Sequence, residues 1–144
     1  MILPDVNTLL YAVNSASDQH AAALKALEAA YAAPRGVAFA WIVLLAFLRL
    51  STRGGIFPKP LSIEDALLVI KHWLDHPNAQ VVHPGENHPE VLGRLLLAAG
   101  TAGNLTTDAH LAALAIEHDA TIVSFDRDFA RFPDVQWRLP TAAK

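Results

Sequence analysis

The chain has 144 residues, of which 53% are apolar and 17% are charged, with no cysteine and a formal net charge of −3. This composition excludes an intrinsically disordered protein, a disulfide scaffold and a thiolate zinc site, and it lacks the strong positive charge typical of duplex-DNA-binding domains. The length predicts a single domain over residues 1–144. Because the longest apolar run, residues 37–48, is too short to cross a bilayer, we expect no membrane partner, and the lack of cysteine favours the reducing cytoplasm.

Proline and glycine residues divide the chain into short apolar runs that alternate with helical stretches. The pattern predicts, in chain order, a strand at 1–3, a helix at 17–33, a strand at 37–39, helices at 40–52 and 62–76, a strand at 79–82, helices at 89–99 and 108–118, and strands at 120–124 and 135–138. Short strands that alternate with helices indicate βαβ units. We therefore expect an α/β fold in which helices cover both faces of a parallel sheet.

Local signals set the expected helix ends. Ser17 or Asp18 is placed to cap the helix at 17–33, and Ser62 with Asp65 resembles a capping box. Gly100 is a favourable C-terminal residue for the helix at 89–99. The helix at 40–52 is apolar on nearly every face, which predicts that it is buried.

Acidic residues stand at three strand or helix ends. Asp5 follows the first strand, Asp126 and Asp128 follow the strand at 120–124, and Asp108 begins a helix. In an open parallel sheet, functional groups collect at the carboxyl ends of the strands. Carboxylates gathered there repel one another unless a cation lies among them, and hard oxygen ligands suit Mg²⁺ or Mn²⁺. Asn7 is placed to orient a ligand as a neutral neighbour of Asp5.

Each acidic residue also has a purely structural interpretation. Asp108 is suited to the first turn of a helix, and Asp126 and Asp128 are suited to a turn. Asp5 is harder to explain in this way, since a charge at the end of an apolar strand serves no packing purpose. The set as a whole favours a metal site.

The seven histidines add little. His72 and His76 have the spacing of a helical zinc motif, but Trp73 stands where that motif needs glutamate and Pro77 ends the helix. His110 lies close to Asp108 and is more typical of a helix face than of a substrate contact. His88 gives no signal.

Three blocks of sequence carry the acidic residues. They are Ile2-Leu3-Pro4-Asp5-Val6-Asn7, residues 103–115 around Leu105-Thr106-Thr107-Asp108, and residues 121–129 around Val123-Ser124-Phe125-Asp126-Arg127-Asp128. Together these blocks resemble the PIN-domain nucleases, and within them the VapC toxins of bacterial toxin–antitoxin pairs. The segment Trp41–Pro60 also resembles a branch of VapC-like proteins, so the resemblance covers essentially the whole chain.

The resemblance implies a three-layer α/β/α sandwich with a short parallel sheet. It implies Mg²⁺-dependent cleavage of RNA, with Mn²⁺ as a possible substitute, and inhibition by a cognate VapB-like antitoxin. It also supports a homodimer, which the apolar composition independently favours. Asp5, Asp108 and Asp126 correspond to the catalytic, metal-binding acids of the family. Asp128 corresponds to an auxiliary acid, and Ser124 to the small hydroxyl residue two positions before Asp126.

The sequence departs from the family pattern at Ala46, where most PIN nucleases carry a glutamate. No other acidic residue lies between Glu28 and Glu64, so we expect one tightly held cation rather than two. For contact with RNA phosphates, Arg127 is the arginine nearest to the acids in sequence, and Arg49 and Arg53 are further candidates.

Two alternatives to the nuclease remain at this stage. The missing glutamate is compatible with a PIN-like protein that sequesters RNA or antitoxin without cleavage. An aspartyl-phosphate protein would also place an acid after its first strand, but it needs a lysine after a later strand. None of the lysines, Lys25, Lys59, Lys71 and Lys144, is placed there.

Overall fold

A five-stranded parallel sheet, with strand order β3-β2-β1-β4-β5, lies at the centre of the protein. The structure, a computed structural model, describes residues 1–141, and the last three residues of the expected domain lie outside that range. Each neighbouring pair of strands is parallel. The strands are β1 (Ile2–Pro4), β2 (Val37–Phe39), β3 (Ala79–Val81), β4 (Thr121–Val123) and β5 (Gln136–Arg138).

Helices cover both faces of this sheet, which confirms the expected α/β/α class. The helices are α1 (Val6–Val13), α2 (His20–Ala32), α3 (Trp41–Thr52), α4 (Ile63–Asp75), α5 (His88–Ala99) and α6 (Thr106–Glu117), with short 3-10 helices at Gly103–Leu105 and Arg127–Arg131. Helix α1 packs on α2 and α3, α3 packs on α4, and α5 packs on α6. The helices lie on both faces because crossovers between parallel strands are right-handed and the chain runs from β1 to one edge of the sheet before it crosses back to β4. No helix among residues 1–141 is long and apolar enough to cross a membrane.

The register of β1 and β4 brings their carboxyl ends to the same level. Ile2 pairs with Thr121, and Pro4 pairs with Val123. Just beyond the last pair, the backbone amide of Asp5 donates a hydrogen bond to the carbonyl of Val123 at 3.0 Å. The side chains of β1 and β2 are buried on both faces, as expected for inner strands of a parallel sheet between two helical layers, whereas the edge strands β3 and β5 are partly exposed. The first residue after β1 is thereby fixed beside the end of β4.

Helix α1 is an element that the sequence pattern did not predict. It begins directly after Asp5, whose side chain accepts a hydrogen bond from the Val6 amide at 2.8 Å and caps the helix. With one residue between strand and helix, no run of turn residues marks the boundary. The expected side-chain cap of α2 was wrong, since that helix begins at His20 without a capping side chain, and Ser17 accepts from the Gln19 amide in the preceding turn.

The prediction that the helix at 40–52 is buried was also wrong. One face of α3, which includes Phe47, lies in the core, but Trp41 and Leu45 are 46% and 56% exposed. An apolar sequence therefore leaves an apolar surface here. Other local predictions were confirmed: Ser62 accepts a hydrogen bond from the Asp65 amide at 3.0 Å, and Gly100 ends α5 in the left-handed region with φ +78°.

Candidate functional site

A cleft of about 340 Å³ opens at the carboxyl ends of β1 and β4. The chain leaves these two neighbouring strands in opposite directions, toward β2 and toward β5. Such a switch point is where open α/β sheets bind ligands. The lining residues come from the start of α1, one face of α3, the first turn of α6 and the loop after β4. They are Asp5, Val6, Asn7, Ile42, Val43, Ala46, Arg49, Leu50, Thr107, Asp108, Leu111 and Asp126.

Asp5 is the most rigidly held acid of the cleft. Its side chain is 8% exposed, and both oxygens accept hydrogen bonds, one from the Val6 amide and one from the Ser124 hydroxyl, each at 2.8 Å. Burial raises the pKa of this carboxyl, while the hydrogen bonds from Ser124 and Val6 oppose that rise. The Asp5 side chain that caps α1 is therefore also a carboxylate that lines the cleft and is held by two hydrogen bonds.

Ser124 and Asn7 connect the two strand ends. The Asn7 amide nitrogen donates to the Ser124 hydroxyl oxygen at 3.1 Å, and the Asn7 carbonyl oxygen accepts from the Phe125 amide at 3.1 Å. The Ser124 oxygen also accepts from the Asp126 amide at 3.0 Å. These bonds hold Asp5 and the loop that carries Asp126 in one arrangement, as expected of auxiliary residues.

Asp108 and Asp126 line the cleft and form a close group of carboxylates with Asp128, which is exposed beside them. Each offers one oxygen, and these oxygens all lie within 4.8 Å of one another. Asp126 accepts a hydrogen bond from the Asp128 amide at 2.9 Å, which sets the turn that brings both acids forward. Burial, followed by the negative charges of Asp5, Asp126 and Asp128, raises the pKa of Asp108 to about 7. The structure thus brings together all four acids that the sequence singled out. Asp128, expected to be an auxiliary acid, belongs to the same group of carboxylates as Asp108 and Asp126.

The donor set fits a divalent cation that prefers oxygen. Three clustered carboxylates, with Asp5 lining the same cleft, supply the hard anionic ligands that Mg²⁺ and Mn²⁺ take in proteins. Burial first, and then the charges of the neighbouring carboxylates, raise the pKa of Asp108, and a cation bound among these acids would favour its ionised form. These residues could therefore hold a divalent cation, which would supply the chemistry of metal-assisted hydrolysis.

The PIN domain family matches residues 2–135 of this chain. Ribonuclease VapC37 of Mycobacterium tuberculosis is 49% identical over 142 residues, which are 99% of each chain. This chain belongs to the VapC ribonucleases of the PIN-domain family. Among solved structures, VapBC2 from Rickettsia felis bound to a promoter DNA fragment has a TM-score of 0.71, with 21% identity, 96% of this chain and 98% of that chain covered. VapC20 of Mycobacterium tuberculosis, a sarcin-ricin loop cleaving toxin, has a TM-score of 0.67, with 21% identity and coverages of 94% and 99%. These two structures share the fold.

The α3 wall of this VapC cleft carries two residues of note. Ala46 lines the cleft, so the position at which the sequence departs from most PIN nucleases does face the acids. Arg49 lines it as well, one helical turn further along α3. Arg127 is exposed in the 3-10 helix after Asp126 and is outside the set of lining residues within 1–141. Proximity in sequence to Asp126 therefore did not place Arg127 in the cleft.

A buried polar chain beside the VapC site escaped the sequence analysis. The His88 Nδ1 lies 2.5 Å from a Glu117 oxygen, and the His88 Nε2 lies 2.9 Å from the Nδ1 of His110. The second Glu117 oxygen accepts the Gly85 amide at 2.8 Å. This chain joins α5 to α6, the helix that carries Asp108. His110 and Glu117 are seven residues apart on one helix, and this spacing could have predicted that they share a helix face. No local sequence pattern could have predicted that His88 contacts them.

The two histidines with zinc-like spacing have separate environments. The His76 ring packs against Tyr31 with centroids 4.1 Å apart, and its Nδ1 accepts the Asn78 amide at 3.0 Å. His72 lies instead on the exposed side of α4. Among the described residues, the structure does not include His72 or His76 in a group of side chains that could hold a metal ion.

Proposed function

We propose that this VapC ribonuclease is a Mg²⁺-dependent endoribonuclease that hydrolyses phosphodiester bonds of RNA, and that it is the toxin of a type II toxin–antitoxin pair. The observation that carries the proposal is the convergence of Asp5, Asp108, Asp126 and Asp128 at the carboxyl ends of β1 and β4. Family membership supports the substrate class. We also propose that the protein acts in the cytoplasm. Residues 1–144 form one nuclease domain in this proposal.

Asp5, Asp108 and Asp126 are the residues we assign to the metal, with Asp128 as an auxiliary acid. When bound, a divalent cation lowers the pKa of a coordinated water and polarises a phosphate oxygen. Asp5 contributes a carboxylate whose orientation is set by Ser124 and the Val6 amide. Asp108 must lose its proton to act as a ligand, which the burial of its carboxyl delays until about pH 7. Asn7 keeps Ser124 and the Asp126 loop in register.

The direct test is cleavage of mixed RNAs by the purified protein, free of antitoxin, in Mg²⁺, Mn²⁺ or EDTA. We expect cleavage in Mg²⁺ and in Mn²⁺ and none in EDTA. Asp5→Asn and Asp108→Asn should each abolish cleavage while the fold persists, because each removes one anionic ligand from the cluster. Asp119→Asn is the matched control: it removes a carboxylate at the amino end of β4, where φ +52° also suits asparagine. Near-normal cleavage by either site variant would refute the assignment.

We propose that a VapB-like antitoxin segment docks on the outer face of α4. This face carries Ile63, Leu67 and Leu68, which are 66%, 50% and 62% exposed. Beside it lies a groove of about 520 Å³ that runs to the end of α1 and is lined by Val13, Leu68, Val69, Lys71, His72, Trp73 and Asp75. The exposed apolar side chains fit the apolar side of an amphipathic segment, and the charged residues Lys71 and Asp75 line the groove beside them.

A homodimer is the second assembly that we propose, with the exposed apolar residues of α3, Trp41 and Leu45, at its interface. Light scattering of the antitoxin-free protein tests it. A dimer that dissociates when Leu45 is changed to glutamate is the expected result. A monodisperse monomer at concentrations on the order of tens of micromolar would contradict the dimer.

A further inference from the structure

Arg49 places a cationic side chain in the lining of the acidic cleft. Residues 42, 46 and 49 are three or four apart and lie on one face of α3, which forms one wall of the cleft. The other walls carry Asp5, Asp108 and Asp126. Of the described residues that line the cleft, Arg49 is the one with a cationic side chain. A single guanidinium therefore shares a cavity with the acids of the site.

The guanidinium of Arg49 is free to meet a ligand. Its side chain is exposed, and α3 carries no acidic residue with which it could pair along the helix. Within residues 1–141, the arginines engaged in ion pairs are Arg35, with Asp119, and Arg94, with Asp134. Arg49 is therefore exposed, lacks an ion-pair partner among the described residues, and lines an acidic cleft.

We propose that Arg49 binds a phosphate of the RNA backbone in this cleft. The inference rests on the proposed ribonuclease function and names a substrate-binding residue for it. Arginine is suited to the task because its planar, permanently charged fork donates two parallel hydrogen bonds to phosphate oxygens.

The charge balance of the cleft also favours this role. Four ionised carboxylates with one divalent cation leave two negative charges, and an RNA phosphate brought to them would add another. Arg49 offsets part of this residual charge, so the phosphate meets a less negative cleft. Because Ala46 stands in place of a glutamate, no carboxylate on α3 competes for the guanidinium. Arg127 and Arg53 lack this placement, since neither is among the described residues that line the cleft.

The test measures RNA binding rather than cleavage. A fluorescein-labelled single-stranded RNA of mixed sequence is titrated with the Asp5→Asn protein in Mg²⁺, and its anisotropy is followed over a range of salt concentrations. Adding Arg49→Gln should weaken binding about tenfold or more. It should also reduce the slope of log affinity against log salt by about 0.7, the value for one lost phosphate contact on a single strand. Arg49→Lys should retain the slope, because the charge remains, and lose part of the affinity.

Arg35→Gln is the matched control, since it removes the same charge at the amino ends of the strands, away from the cleft. It should change neither the affinity nor the slope. An unchanged salt slope in Arg49→Gln would overturn the proposal. So would a tighter Mn²⁺ affinity in that variant with RNA binding unchanged, because Arg49 would then act on the carboxylates alone. Failure of the parent protein to cleave RNA in Mg²⁺ would instead reject the proposed function, and the two failures are therefore distinguishable.

Discussion

In the proposed metal site, protons would compete with the cation for the Asp108 carboxylate. Its pKa is raised to about 7 by burial and by the charges of Asp5, Asp126 and Asp128. A carboxylate must be ionised to bind a cation, so we expect the apparent Mn²⁺ affinity to increase with pH up to about 7 and to level off above it. Calorimetric titration at a series of pH values measures this. A pH-independent affinity between about pH 5 and 8 would contradict the prediction.

The same pKa makes a prediction about stability without metal. A carboxyl whose folded pKa lies above its unfolded value of 3.8 contributes stability that is complete below 3.8 and is lost as the pH rises to about 7. The Asp108→Asn variant has no ionisable group at this position. Its advantage in thermal stability over the parent should therefore grow from about pH 4 to about pH 7 and then remain constant. Asp119→Asn, at an exposed site, should show no such trend, and a falling advantage would refute the sign.

Ala46 tests how many cations the cleft holds. Because it lines the cleft, a glutamate there would add a carboxylate to the cluster. We expect Ala46→Glu to raise the Mn²⁺ affinity and to strengthen any second cation, since two ions about 3.5–4 Å apart repel unless carboxylates surround them. Calorimetry of both proteins measures the number of sites. Two strong sites in the parent protein would show that the missing glutamate does not limit metal binding.

At the scale of secondary-structure elements, α6 is braced against α5 by the chain from Glu117 through His88 to His110. His88 is 8% exposed, and burial followed by the nearby His88 lowers the pKa of His110, which favours its neutral form. Changing His88 to alanine would leave a Glu117 oxygen buried without its partner, which costs about 1–3 kcal/mol. Urea unfolding should show that loss. His72→Ala, on the exposed side of α4, should stay within about 0.5 kcal/mol of the parent.

The elements also show what the sequence could and could not predict. Buried strands such as β2 and β4 were predicted nearly to the residue, because apolar runs bounded by breakers are a local signal. Asp5 was recognised as an acid after a strand, but its second role, as the cap of α1, was not. The link from Asn7 to Ser124 joins residues 117 apart in sequence, and the partnership of His88 with Glu117 spans 29. Such contacts depend on the tertiary arrangement. The exposed face of α3 likewise depends on what packs against it, which apolar periodicity does not report.

At the scale of the whole molecule, different surfaces serve different contacts. The carboxyl ends of the strands carry the acids, while the amino ends carry an exposed ion pair between Arg35 and Asp119. Apolar side chains are exposed on α3 beside the cleft and on α4 away from it. The α4 face does not include any of the four acids, so a mutation there can weaken partner binding without changing these acids. This separation makes the proposed antitoxin surface testable.

Leu68→Glu is the variant for that test, because Leu68 belongs both to the exposed face of α4 and to the lining of the groove. The new glutamate charge would lie in an apolar contact and lose its hydration without gaining a partner. We therefore expect the concentration of VapB-like antitoxin that gives half-inhibition to rise about tenfold or more. RNA cleavage without antitoxin should be unchanged. Leu97→Glu, on α5 and 84% exposed, is the matched control and should leave inhibition as it is. If the antitoxin inhibits Leu68→Glu as strongly as Leu97→Glu, it binds elsewhere. Both variants carry the same new charge, so a loss of inhibition that is confined to Leu68→Glu would locate the contact on α4.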